Sequence, residues 1–268
     1  AYSTERINSI PDITQTDPRA GFPHGGIHYC GPCAISNSIF WLGENGYENL
    51  LPRLERGKDL QAELTRILAS SEYMDTTLEW GTSPAGILRG ISRYIRDCGY
   101  EYSQLAYQGW REVPAGFDTG IEPPQLEWII SGLEGDAAVW LNVGWYVWAS
   151  EKNEYKRVGG HWVTLVGFGI DGDGNLDPSV LIVHDPGARS GYVFSNDYAK
   201  LERIESGRMV GGGGSARNAA GYFRIKGGMK IQSGADAGIL DGAIRLVMKR
   251  NVLSADRRME IRSGSTRQ

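Results

Sequence analysis

Two cysteines, Cys30 and Cys33, stand three residues apart in "HYCGPCAISN", separated by Gly31 and Pro32. A thiol pair at a helix start suits three chemistries. As a dithiol it exchanges with disulfides, because the helix N-terminus and the neighbouring sulfur lower the pKa of the first thiol. As half of a zinc site it needs a second pair of ligands at matching spacing. The chain offers only Cys98 and the scattered histidines His24, His28, His161 and His184, so no metal is expected. As a nucleophile, one of the two thiols needs a histidine base and an acceptor that orients the base; both can come from distant sequence.

The second half of the chain holds such a pair. His161 opens the apolar stretch "HWVTLVGFGI" after Gly159 and Gly160, and Asp185 closes "VLIVHD" just before Pro186. Two antiparallel strands joined through "IDGDGNLDPS" set His161, at the start of one, beside Asp185, at the end of the next. The dithiol reading is weaker here. Redox domains of that type place the motif directly after an apolar strand, whereas "AGFPHGGIHY" reads as a loop and no βαβ pattern surrounds it.

The elements that must hold these residues follow from periodicity and punctuation. A helix is predicted over 32–42, with Pro32 in its first turn and Ile35, Ile39, Phe40, Trp41 and Leu42 on its buried face. Further helices are predicted over 58–71, over 83–99 with Ser83 as cap, and over 123–135. Strands are predicted over 137–148, 161–170, 180–185, 220–226 and 242–249, where Val, Ile and aromatic residues concentrate between turn signals. Helices first and strands later point to an α+β fold with an antiparallel sheet. No repeat or linker divides the chain, so residues 1–250 read as one domain with an N-terminal arm over 1–29, and 251–268 as a polar tail.

Composition narrows the partners. The 268 residues carry a formal net charge of −4 without a basic cluster interleaved with aromatics, so nucleic acid is not the expected partner. No apolar run reaches the roughly 20 residues of a membrane span. Three cysteines exclude a dense disulfide framework. "GFGIDG" has dinucleotide-loop spacing but no helix after it, and reads as a hairpin turn. "DGDGNLD" offers Asp171, Asp173 and Asn175 as the first half of a calcium loop, yet has Leu176 in place of the turn glycine and Ile182 in place of the bidentate glutamate. "VGGGGSARN" lacks the lysine of a phosphate loop and reads as a surface loop. No cofactor is expected.

"HYCGPCAISNSIFWL", "GGHWVTLVGFGID" and "VLIVHDPG", in that order, resemble the cysteine, histidine and aspartate blocks of papain-like cysteine peptidases, closest to the bacterial C39-like branch. The spacing from the cysteine block to His161 also lies within the ~130–150 residues seen in papain-type enzymes. The resemblance implies a papain-like α+β fold, N-terminal helices with the nucleophile helix packed on a C-terminal antiparallel sheet. It implies that Cys30 attacks a peptide or amide carbonyl, that His161 moves the proton and that Asp185 fixes the imidazole. Cys33 is the alternative nucleophile or redox partner, since plant-type members use the second cysteine of the block. Where the family has a glutamine that donates to the oxyanion, His24 stands here. The implied partner is a peptide or protein substrate, with no oligomeric state specified. The implied location is secreted or in the cell envelope of a bacterium, with the cytoplasm as the alternative. A thiol-disulfide oxidoreductase, a catalytically inactive peptide-binding module and an acyltransferase to an amine are the competing readings.

Overall fold

In the computed structural model, which describes residues 1–54, 56–187 and 195–250, three helices form where the periodicity puts them. They are α1 (Cys30–Glu44), α2 (Leu60–Ala69) and α3 (Pro84–Asp97). The Asp59 carboxylate accepts from Ala62 N at the start of α2, and Ser83 Oγ accepts from Gly86 N at the start of α3, with Pro84 at its first helical position. Gly99, at φ 82°, takes the left-handed turn that releases the chain after α3. Next come β1 (Tyr102–Gly109) and α4 (Leu126–Ile130). The predicted 123–135 helix is thus cut to one short turn followed by a 3-10 segment, because Gly132 packs directly on the Val139 side chain, with no room even for a Cβ.

The remaining elements are strands: β2 (Ala137–Ala149), β3 (Glu154–Ile170), β4 (Leu176–His184), β5 (Asp197–Arg203), β6 (Arg208–Val210), β7 (Ala216–Asn218), β8 (Phe223–Gly227) and β9 (Ala237–Met248). Antiparallel pairing runs β2 to β3, β4, β5, β8, β9 and back to β2, which closes a six-stranded barrel. β1 extends β9 outside the ring, while β6 and β7 hang from β3 as a small hairpin.

This closed barrel corrects the papain-like α+β arrangement of helices packed on an open C-terminal sheet. Nine strands against four short helices dominate the described residues, and the sheet returns on itself. The physical cause is strand length and bending. β2, β3 and β9 run 13, 17 and 12 residues, and register shifts at Asn142/Val143, Trp145/Tyr146, Leu165/Gly167 and Lys200/Leu201 coil the sheet until its edges meet. β1, β5, β6 and β7 carry too many polar residues to stand out in the sequence; "VGGGGSARN" is the β6–β7 hairpin. The predicted polar tail, 251–268, lies outside the described residues.

Side-chain alternation sorts the apolar residues onto two faces. Val139, Leu141, Val143, Val163, Leu165, Leu181, Val183, Leu201, Phe223, Ile225 and Leu240 come from all six barrel strands and fill its interior. Trp140, Trp162, Ile244 and Leu246 point outward and are covered by Ala34, Ile35, Ile39 and Leu42 of α1 together with Ile87, Leu88 and Ile91 of α3. The N-terminal arm covers the outer face beyond α1, through Ile7 and Ile10 on Val166, Val180 and Ile182, with Trp41 of α1 packed beside them. Ile39 is 0% exposed, so truncating it to alanine costs about 2–5 kcal/mol. No helix among the described residues is long and apolar enough to cross a membrane.

Candidate active site

Cys30 is the first residue of α1, and the sequence around it fixes what its helix end presents. Pro32 has no N–H, and the Cys33 N–H is already bonded to Tyr29 O at 3.0 Å. The backbone N–H groups of Cys30 and Gly31 are left facing out of the helix start, where the helix dipole favours negative charge. α1 is bolted to the barrel by polar contacts made inside the apolar layer. Trp140 Nε1 and Thr164 Oγ1 both donate to Ala34 O, at 3.0 and 2.7 Å, and Asn37 Nδ2 donates to Thr164 Oγ1 at 3.1 Å. Gln61 Nε2 and Ile13 N share Asn37 Oδ1. Trp162 Nε1 donates to Thr82 O at 3.1 Å, holding the segment before α3 against Gly31.

His161 lies within β3, not at its start, because Gly159 and Gly160 continue the strand opposite Trp145 and Gly144. β3 and β4 form the expected antiparallel hairpin, with Thr164 opposite His184, and Asp185 follows directly. His161 Nε2 and Asp185 Oδ1 are 2.6 Å apart, and Gly187 N donates to the same carboxylate oxygen at 2.7 Å. Cys30 lies close enough to the same imidazole to act on its charge. The Trp145 ring stacks on His161, centroids 5.8 Å apart.

These neighbours set the charge on His161. Burial pulls its pKa down, but the Asp185 charge and hydrogen bond, joined by the contact with Cys30, overcome this and hold it up at about 10. The imidazole is therefore protonated at neutral pH, which is the state that supports a thiolate partner.

Cys33 behaves differently. It is 0% exposed among Phe22, Tyr29 and Ala62, and burial, then the charge of Cys30, pushes its thiol well above the ordinary range. Cys98 caps the end of α3, and burial raises its thiol too; all three cysteines are free. His24 sits exposed in the left-handed region, φ 51°, on the 3-10 turn Pro23–Gly26, and its side chain makes no hydrogen bond among the described residues. The structure brings Cys30, His161 and Asp185 together and does not join His24 to them. His28 is half-buried ahead of α1. His184 is buried, with Nδ1 at 2.9 Å from Pro11 O and Nε2 at 2.8 Å from Asn196 Oδ1.

Gln15 is a residue that no motif or pattern singles out. Its backbone N–H donates to Pro186 O at 2.9 Å, and its side-chain Nε2 donates to Gly26 O at 2.9 Å and Ile27 O at 3.1 Å. One buried glutamine thus ties the strand end that carries Asp185 to the loop that leads into Cys30. In the calcium-like stretch, Asp171 Oδ1 accepts from Asp173 N and Asn175 N, so this carboxylate shapes the hairpin turn. No cluster of three or more His, Cys, Asp or Glu able to hold a metal occurs among the described residues.

No protein-family model matches this sequence and no curated protein matches it, so the site is interpreted from its own geometry.

Proposed function

We propose that this protein is a cysteine hydrolase that cleaves a peptide or amide bond. One observation carries the reading: His161 Nε2 stands 2.6 Å from the Asp185 carboxylate, and the same ring neighbours the helix-starting thiol Cys30. Cys30 Sγ attacks the substrate carbonyl carbon, and the resulting oxyanion takes a hydrogen bond from the Cys30 backbone N–H. His161 donates its proton to the leaving amine as the C–N bond breaks, which leaves a thioester on Cys30. His161, now neutral, accepts a proton from water as that water attacks the thioester; the acid product leaves and the thiolate and imidazolium re-form. Asp185 stays ionised throughout, holding the ring so that one nitrogen faces sulfur.

The dithiol alternative is opposed by Cys33, whose 0% exposure and raised thiol pKa suit packing better than exchange with an external disulfide. The test is peptide-mapped labelling with limiting iodoacetamide at about pH 4 to 9 on the wild type and His161→Ala. Selective fast alkylation of Cys30 at low pH, lost in His161→Ala, supports the hydrolase. A Cys30–Cys33 disulfide that opens with dithiothreitol, or Cys30 reacting no faster than a free thiol, overturns it.

A further inference from the structure

A short stretch of the N-terminal arm, Pro11 to Gln15, grips both segments that converge on His161. On the Asp185 side, Pro11 O lies 2.9 Å from His184 Nδ1, and Gln15 N donates to Pro186 O at 2.9 Å, so the arm holds the residues on either side of Asp185. On the Cys30 side, Ile13 N donates to Asn37 Oδ1 of α1 at 3.1 Å. The last link is the Gln15 side chain, whose Nε2 donates to Gly26 O at 2.9 Å and to Ile27 O at 3.1 Å in the loop that leads into Cys30.

That loop is strained. His24, Gly25 and Gly26 stand in succession in the left-handed region, at φ 51°, 68° and 76°. Such backbone is costly for a histidine and persists only where its surroundings over-determine it. Gly26 is held on two sides. A Cβ there would lie 1.6 Å from Gln15 O, and its carbonyl accepts from Tyr29 N at 3.0 Å as well as from Gln15 Nε2. Tyr29 is the cap residue on which α1 starts. The Gln15 amide therefore fixes the carbonyl that turns the chain into Cys30.

Gln15 is 7% exposed, and its Oε1 is buried with no hydrogen-bond partner among the described residues. A buried acceptor left unmet lowers stability, so packing alone does not account for a glutamine here. Both hydrogens of its NH2 group are spent on the lead-in loop, and its backbone N–H is spent on the residue after Asp185.

We propose that Gln15 is a positioning residue, whose amide locks the lead-in loop against the end of β4 and so sets the reach of Cys30 to the His161–Asp185 pair. The proposal rests on the hydrolase reading for the chemistry that this placement serves. Gln15 moves no proton itself and acts only through three backbone carbonyls.

The test compares wild type, Gln15→Met, Gln15→Asn and Ile7→Ala. Methionine keeps the side-chain length and the backbone N–H while removing both donors; asparagine keeps the amide but is one methylene too short to reach. Ile7→Ala loosens the same arm where it packs on the barrel, away from the lead-in loop. Melting temperatures confirm that each variant is folded. Iodoacetamide labelling of Cys30 at about pH 5 should slow about tenfold in both Gln15 variants. Their kcat on the best peptide of a fluorogenic library should fall by a similar factor while KM holds. Ile7→Ala should melt earlier than wild type and keep both rates. Equal slowing in Ile7→Ala, or Gln15 variants that label and turn over like wild type, overturns the proposal.

An NMR titration of the His161 ring needs no turnover and separates the two readings. With the loop unlocked in Gln15→Met, Cys30 acts less on the imidazole, and the midpoint should drop by about one pH unit from the wild-type value. An unchanged midpoint sinks the positioning role alone when wild-type Cys30 labels fast. A lowered midpoint with slow labelling of wild-type Cys30 sinks the hydrolase alone.

Discussion

His161 Nε2 stands 2.6 Å from Asp185 Oδ1, and each side chain is only 11% exposed. At that distance and burial the carboxylate selects both the orientation and the protonation state of the ring. Asp185→Asn keeps the shape but offers an amide where the ring N–H needs a carboxylate. Hydrolysis of the best peptide from a fluorogenic library should fall ~10³–10⁴-fold, as in other triads that lose their acid. Cys30 alkylation at about pH 5 should slow to the rate of an ordinary thiol. Unchanged rates in both assays would show that Asp185 serves only the turn before Pro186.

The raised pKa of His161 fixes the direction of two pH effects. Activity that needs the imidazolium should hold through neutral pH and decline as pH passes about 10. For stability, a folded-state pKa above the unfolded one means the contribution is complete below about pH 6.5, the unperturbed histidine value, and is lost as pH rises towards the folded value. Urea melts of wild type and His161→Ala should therefore differ most at acid to neutral pH and converge in alkali. A constant gap across the series contradicts the assignment.

Replacing each cysteine separates nucleophile from packing. Cys30→Ser should abolish rapid alkylation and turnover with little change in melting temperature. Cys33→Ala should leave both reactivities in place while costing about 1–3 kcal/mol, the usual range for a small cavity in a buried site. Comparable loss of insulin reduction in both variants would instead favour the dithiol.

Thr164 links α1 to β3, donating to Ala34 O at 2.7 Å while accepting from Asn37 Nδ2 at 3.1 Å. Thr164→Val removes the hydroxyl, so the buried Asn37 Nδ2 loses its acceptor while Ala34 O keeps the Trp140 Nε1 donor, and stability should drop by about 1–3 kcal/mol. Because the same link sets the distance from Cys30 to His161, Cys30 alkylation should also slow. A destabilised variant with an unaltered alkylation profile would mean that the rest of α1 suffices to hold Cys30 in place.

A cross-strand glycine tests the buried ion pair of Arg157 Nε and Asp241 Oδ2, 2.9 Å apart. Gly144→Ala drives a methyl group into the buried Asp241 carboxylate, and the strand backbone gives way only at a cost. Differential scanning calorimetry should register a loss of about 1–3 kcal/mol. A neutral outcome would show that the Arg157–Asp241 pair has slack.

The sequence exposed what is encoded locally. Ser83 with Pro84, the amphipathic stretch over 84–97 and the Asp171 turn between two apolar runs all appear in the structure because each depends on a few adjacent residues. The His161–Asp185 neighbourhood followed from one hairpin. What escaped was set by distant pairing. β5, "DYAKLER", has four charged and only three apolar or aromatic side chains that recommend a strand, and it exists because β4 and β8 flank it. Barrel closure depends on bulges, and a bulge such as Val158 or Asp241 leaves no mark on composition. Gln15 was silent for the same reason, since its partners are backbone carbonyls that only the fold brings near.

β9 lies between β1, β2 and β8, although it is the last strand of the described chain. A ribosome releases the helix with Cys30 first, then β3 and β4 with His161 and Asp185, and only after them the strand that holds β2 in register. Until that strand emerges, thiol, imidazole and carboxylate have no rigid frame to share. On the hydrolase reading, the order of synthesis keeps the Cys30 thiol disarmed while the nascent chain is still unfolded and most exposed to its own chemistry.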